Sequence, residues 1–341
     1  MRYLRLSKRT EPPNAARNPN EVVLYADDTG AINLVDYNDN TEPVGAGTGT
    51  IALLRPYARV GSAPDGVAVA PDGTVWTANQ GGSSASHVHS DGTVVTVPVG
   101  GEGSSSPLSV VVSDSGIVYV ACSGDGTVNT IVDEAEDTII MLDPSASPQV
   151  VALDPDGETV WVARFDSTVS RISGGVVTDS VVLDGSLNLN WVAVAPDGTV
   201  YVTASDSNVY TITNVGDPTI TPIYVGQPVG VAVAADGVAW VTTNNNTLAS
   251  IEGETVTNYP VGASPEGVAV APDGKVWVAN SSDGTVSVFN PITETTETLI
   301  GLGYASNFWG VAVAQDGTPY VTELNSGIVF TPALVPYNDL A

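Results

Sequence analysis

The side chains in this sequence with types and spacing suited to chemistry are few. His87 and His89, in "SHVHS", stand two residues apart. On a strand that spacing puts both imidazoles on one face, the arrangement a divalent metal asks of its first two ligands. No further ligand stands near them in the sequence, so the expectation is that no metal is held. The acidic run "DEAED", Asp133 to Asp137, reads as a solvated loop with at most some attraction for calcium. Cys122, alone in the chain, excludes an intrachain disulfide and sits in "VYVACSG" as a small buried thiol. Two clusters remain, "NLNW" with Asn188, Asn190 and Trp191, and "NFW" with Asn307, Phe308 and Trp309. An aromatic face beside amides can hold a sugar, the ring against C–H groups and the amides on hydroxyls. The alternative is that these aromatics plug a tunnel as packing. They are the candidate ligand-binding residues, and no residue is assigned a catalytic role.

What positions these residues is a repeat. "PEGVAVAPDGKVWVAN" at 265–280 nearly restates "PDGVAVAPDGTVWTAN" at 64–79. Turn dipeptides recur at Asp72-Gly73, Ser115-Gly116, Asp156-Gly157, Asp197-Gly198, Asp236-Gly237, Asp273-Gly274 and Asp316-Gly317. The period of about 40 residues is that of a four-stranded propeller blade. In each copy a small apolar run such as "GVAVA" is expected to be the innermost strand, the Asp-Gly a tight hairpin, and "TVWTA" or "KVWVA" the second strand. Trp76, Tyr119, Trp161, Tyr201, Trp240, Trp277 and Tyr320 fall at one place in successive copies and read as blade-to-blade packing. After the seventh "SGIVFT" only "PALVPYNDLA" remains, whereas "IALLRPYARV" precedes the first copy without a blade of its own. The expectation is an all-β fold: a seven-bladed β-propeller over 49–341, closed by an N-terminal strand at 51–60 that completes the last blade, which protects the edges.

Through "P-x-GVAVAPDGxVWVAN…GTVSVF" the repeat resembles the NHL and YVTN families and the propeller of streptogramin lyase, over about 280 residues. That resemblance implies architecture, since such propellers include enzymes, adhesins and surface-layer proteins. Catalysis by the streptogramin-lyase route would imply a histidine general base, a nearby Glu and magnesium on the ring face, and no His follows residue 89. A lactonase of the gluconolactonase type would imply Glu, Asn and Asp around a central metal. At the starts of the innermost strands stand Asp65, Leu108, Val229, Glu266 and Phe308, which form no evident metal ring.

The formal net charge is −28, which argues against nucleic acid as a partner. Arg2, Arg5, Lys8, Arg9 and Arg17 nevertheless make up half of the 10 basic residues. No secretory apolar run follows them, and no membrane-spanning apolar stretch occurs, so no membrane insertion is expected. Residues 1–48 read as a short extended arm followed by a β-hairpin, "EVVLYA", "DDTG", "AINLVD". The segment resembles hairpins near the start of minor tail proteins and fibres of tailed bacteriophages. The resulting expectation is a structural protein of a phage virion (minor tail, fibre or decoration protein), made in the host cytoplasm without a signal peptide and not an enzyme. Residues 1–48, through the five basic residues, would bind other virion subunits, and the propeller would face a host-surface glycan, without cofactor or metal and with homo-oligomers open. The alternatives are a propeller enzyme of the streptogramin lyase or lactonase type, revived by metal bound through Glu266, and a prokaryotic cell-surface propeller.

Overall fold

A computed structural model of the chain describes residues 3–6, 21–26, 32–35, 41–43 and 50–336, except 101–104, 143–146, 184–185, 215 and 302–306. The described part is strand and turn, with a single short 3-10 turn at Gln80–Gly82. Near the start, Glu21–Ala26 and Ile32–Val35 pair antiparallel as the expected hairpin, within a small sheet that also takes in Tyr3–Leu6 and Thr41–Pro43. Arg2, Lys8, Arg9 and Arg17 lie outside the described residues, and Arg5 is described in its backbone only.

The remainder is a seven-bladed propeller, five four-stranded sheets and one eight-stranded sheet that holds the sixth and seventh blades. The innermost strands of blades one to seven are Pro64–Val69, Pro107–Val112, Pro148–Leu153, Leu189–Val194, Pro228–Val233, Pro265–Val270 and Phe308–Val313. Each is followed by a tight turn and an antiparallel second strand. In blade one the turn is closed by Gly73 N–H donating to the Ala70 carbonyl, with Gly73 at φ 85° where a side chain would be strained. Asp72 accepts from both the backbone N–H and the hydroxyl of Thr74, so the repeated Asp is a turn-holder.

Second strands such as Val75–Asn79, Val118–Cys122 and Val160–Arg164 are buried along their whole length. Trp76, Tyr119, Trp161, Tyr201, Trp240 and Tyr320 are each no more than 9% exposed, and Trp277 packs partly buried against the last-blade core. The repeated aromatics are therefore inter-blade core. Cys122 is fully buried within the core between blades one and two, and burial pushes its thiol up to about 12, so it is unreactive.

The innermost strands depart from expectation in one respect. They mix buried with half-buried positions, because one edge of each faces a cavity of about 740 Å³ on the propeller axis.

Ring closure comes from Thr50–Arg59, which pairs antiparallel with Ile328–Pro336 as the outermost strand of blade seven. It also touches the outer strand of blade six in parallel, Leu53 opposite Ile300. The C-terminal "PALVP" extends the third strand of the last blade instead of forming a fourth. Leu54 is fully buried there among Phe308, Val321, Phe330 and Leu299.

Candidate functional site

In every blade the pairing of the innermost strand with the second strand slips near its start, for example between Pro64 and Val67 and between Pro265 and Val268. In blades two, three and four the slip brackets a single residue, Leu108, Gln149 or Asn190. Such an irregularity turns a side chain out of the pleat. The second residue of each innermost strand is the one turned out, and the seven are Asp65, Leu108, Gln149, Asn190, Val229, Glu266 and Trp309. All of them line the axial cavity. Deeper in, the wall is Val and Ala, with Trp191 contributed by blade four.

The two acids of this ring stand in blades one and six with Trp309 of blade seven between them in blade order. The Trp309 side chain lies close enough to Asp65 to favour its carboxylate form. Asp65 is nonetheless pushed up to about 8, chiefly by burial and then by the charge of Glu266. Its surface exposure is intermediate only because one side opens on the cavity. Glu266 is pushed up to about 7, again by burial. It is under-supplied with donors: the Ser281 hydroxyl lies 3.4 Å away but has a nearer acceptor in the Ser264 carbonyl at 3.0 Å. Around neutrality this pair holds one acid and one base. No Lys, Arg or His lines the cavity among the described residues.

The main chain of both acids is clamped from the preceding blade. Thr322 donates to the Asp65 carbonyl at 2.7 Å and accepts from Gly310 N–H at 2.8 Å. Thr242 does the same for Glu266, donating to its carbonyl at 2.7 Å while accepting from Gly230 N–H at 2.8 Å. The close approach requires glycine. A methyl on Gly310 would lie 2.5 Å from the Asp65 carbonyl, and one on Gly230 2.6 Å from that of Glu266.

The sequence-derived candidates divide. Asn190, Trp191 and Trp309 line the cavity together. Asn188 and Asn307 use their main chains to join neighbouring loops, Asn188 with Ser205 and Asn307 with Leu324, and do not line it. Phe308 is 1% exposed and packs edge-on against Phe330, because it occupies the register position that proline takes in five of the other blades. Trp309, not Phe308, is thus the blade-seven member of the ring. Gln149 is a member that sequence reasoning missed, its amide held by the Ser147 carbonyl at 3.0 Å.

His87 and His89 lie on the third strand of blade one, Ser84–Val88, and just beyond it, away from the axis, where they meet Glu134 of blade two. This is also the one trio of metal-capable side chains found among the described residues. The magnesium implied by the streptogramin-lyase resemblance does not fit the mouth. Asp65 and Glu266 are a pair without a third acid or a histidine among the described residues of the cavity wall.

The sequence matches the virginiamycin B lyase family over residues 55–330. No curated protein sequence matches it significantly. Among solved structures it is similar to a streptogramin B lyase, at TM-score 0.76 and 15% identity over 83% of this chain and 98% of that one. Virginiamycin B lyase from Staphylococcus aureus superposes at TM-score 0.75 and 15% identity, over 84% of this chain and 100% of that one. A catalytically inactive histidine-to-alanine variant of the Staphylococcus aureus lyase with quinupristin gives TM-score 0.74 and 16% identity, at 84% and 100% coverage. Likeness at that identity shows the propeller fold. The family match overturns the expectation of a non-enzymatic structural protein of a phage virion, because it spans the propeller with a family of lyases. From the closing strand to the third strand of the last blade, the chain belongs to the virginiamycin B lyase family.

Proposed function

We propose that the protein is a general acid–base lyase working at the mouth of the axial cavity, with Glu266 as the base and Asp65 as the acid. The observation that carries this reading is the pair itself. Two carboxyls raised to about 7 and about 8 face one cavity, so between those values Glu266 is ionised and Asp65 protonated. In an elimination Glu266 takes a proton from carbon, the electron pair of that C–H bond becomes the new double bond, and the bond to the leaving oxygen breaks. Asp65 delivers its proton to that oxygen, and exchange with solvent resets both groups.

The relatives named above are lyases, and one is inactivated by loss of a histidine. This chain has only His87 and His89, both on the rim. A carboxylate base takes that place in the present proposal. The wall of Val and Ala with Trp191 and Trp309 favours a substrate with apolar and aromatic bulk, while Gln149, Asn190 and Asn244 supply amides to orient carbonyl or amide groups. Two carboxyls without a basic neighbour, in a chain of net charge −28, exclude anionic substrates and favour neutral or cationic ones.

The test is incubation with quinupristin and with a panel of neutral and cationic esters and lactones, followed by mass spectrometry. Elimination conserves the substrate's mass among the products, whereas hydrolysis adds a water. Mass-conserving turnover lost in Glu266→Gln supports the proposal. Turnover equal in wild type and Glu266→Gln, or products carrying an added water, overturns it.

A further inference from the structure

The geometry points to a second site, a divalent transition-metal site of the zinc class on the outer rim, built by His87 and His89 of blade one and Glu134 of blade two. The sequence placed the two histidines on one strand face but left them without a third ligand. The fold supplies it from 45 residues beyond His89, at the tip of the turn between the outer strands Thr127–Val132 and Ala135–Met141 of the next blade. Glu134 Oε1 lies 2.8 Å from His87 Nδ1 and 2.7 Å from His89 Nε2.

The tautomer of His87 is fixed by its other nitrogen. Nε2 lies 2.8 Å from Thr74 Oγ1, and the Thr74 hydroxyl spends its only hydrogen on Asp72 Oδ1 at 2.7 Å. Thr74 therefore accepts, and His87 Nε2 must carry a hydrogen. In the neutral ring Nδ1 is then a bare lone pair, and it is aimed at a carboxylate oxygen. Two lone pairs at that separation repel unless a proton or a metal cation lies between them. The chain Nε2–H to Thr74 to Asp72 is the kind of outer support that orients a metal-binding imidazole and raises its basicity. Trp76, stacked on the His87 ring with centroids 4.3 Å apart and planes within 10°, fixes the ring's remaining freedom.

Glu134 is held out by unusual backbone. Asp133 and Glu134 take φ of 48° and 61°, conformations that the matching turn of blade three gives to Gly174 and Gly175, at 59° and 77°. Blade two has placed a carboxylate where glycine is the easy choice, and the conformation directs it at the two imidazoles. Bonds of about 2.0–2.1 Å in a tetrahedral site set ligand atoms about 3.3 Å apart. The present contacts need open by only about half an ångström to reach that spacing, and a two-residue turn can supply the movement. His89 and Glu134 are each 33% exposed, so the site is reachable from solvent and keeps a coordination position for water or an exchangeable ligand. A metal here would bridge blades one and two. It lies outside the axial cavity, so it stands or falls independently of the proposed lyase chemistry.

The experiment is calorimetric titration of the full chain with Zn²⁺, alongside His89→Gln, Glu134→Gln and Thr74→Val, each variant checked for an unchanged thermal transition without metal. The expected result is one saturable Zn²⁺ per chain, lost in the first two variants and weakened about 10–100-fold in Thr74→Val, the usual effect of removing outer support. Co²⁺ in place of zinc should give the visible absorption of a four-coordinate nitrogen–oxygen site. Absence of saturable zinc binding would overturn the proposal and leave His87 as a proton-bridged partner of Glu134. Equal affinity in wild type and the His89 and Glu134 variants would overturn it too, marking the binding as diffuse attraction to an acidic surface.

Discussion

The Thr322 hydroxyl of blade seven donates to the main-chain carbonyl of Asp65 in blade one across the ring closure. The same hydroxyl accepts from Gly310, so one side chain fixes both the innermost strand of its own blade and the acid of the next. The equivalent Thr242 secures Glu266, while a third, Thr203, secures Val229, which carries no chemistry. The clamp is thus a device of the fold that both acids exploit.

Thr322→Val keeps the side-chain shape and removes the hydroxyl, leaving a buried N–H and a carbonyl short of partners. A stability loss of about 1–3 kcal/mol is expected in urea unfolding. The Asp65 main chain is then free to shift, and kcat should fall by about tenfold or more with KM little changed, since misplacement of reacting groups costs rate rather than affinity. Thr203→Val, which removes only the bond to the Val229 carbonyl, should cost less stability and spare kcat. Equal kcat losses in the two variants would remove the positioning role.

The rate should depend on pH as a bell. Activity in kcat/KM rises as Glu266 ionises through about 7 and falls as Asp65 loses its proton through about 8. Glu266→Gln should lower kcat by about 10²–10⁴-fold, the usual worth of a general base. Asp65→Asn should lower it less and abolish the alkaline limb. Because the Glu266 charge helps raise Asp65, the two limbs belong to the pair, and a profile flat from pH 6 to 9 would exclude this assignment of roles.

The architecture was legible because its determinants are local. Asp72-Gly73 and its repeats announce the hairpins, and the seven aromatics from Trp76 to Tyr320 announce the packed second strands. The ring of mouth residues was legible only in part. The sequence puts Phe308 at the strand entry of blade seven, and its register becomes clear only from the pairing of Phe308 with Glu323. Gln149 hid in an apolar run, although it follows Pro148 as Asp65 follows Pro64. The raised carboxyls were not legible at all, since neither the burial of Asp65 nor its distance in sequence from Glu266 carries a local signal. Glu134 joins His87 for the same reason, through the docking of one blade on another.

Stability should fall with rising pH on account of Asp65. Its pKa in the folded chain, about 8, lies above the ordinary value of 3.8, so between these the unfolded chain has released a proton that the native chain keeps. Unfolding is then favoured by each step upward in pH, until the native group also ionises. Glu266, raised from 4.5 to about 7, acts in the same direction over a narrower window. Asp65→Asn removes the larger contribution. At pH 8 it should stabilise the protein by about 2 kcal/mol, allowing for water in the cavity, and flatten the fall in Tm between pH 5 and 8. An unchanged slope would mean that Asp65 ionises in the native state as readily as in the unfolded chain.

Closure of the ring is the last point at which the fold can be tested through one residue. Thr50–Arg59 adds to the third strand of blade seven, the strand Ile328–Pro336, and reaches blade six, so it ties the first and last parts of the propeller to each other. Leu54 anchors it, fully buried against Phe308, Phe330 and Leu299. Leu54→Ala removes that anchor and leaves a cavity walled by side chains that are themselves fixed, for a cost of about 2–5 kcal/mol. Because the same core holds Phe308, the residue before Trp309, the loss should extend to the mouth. The variant should show a lower urea midpoint together with faster amide exchange in blades six, seven and one, while blades three and four keep their protection. Exchange that quickens equally in all blades would show that the ring unfolds as one unit and that this strand is not its local seam.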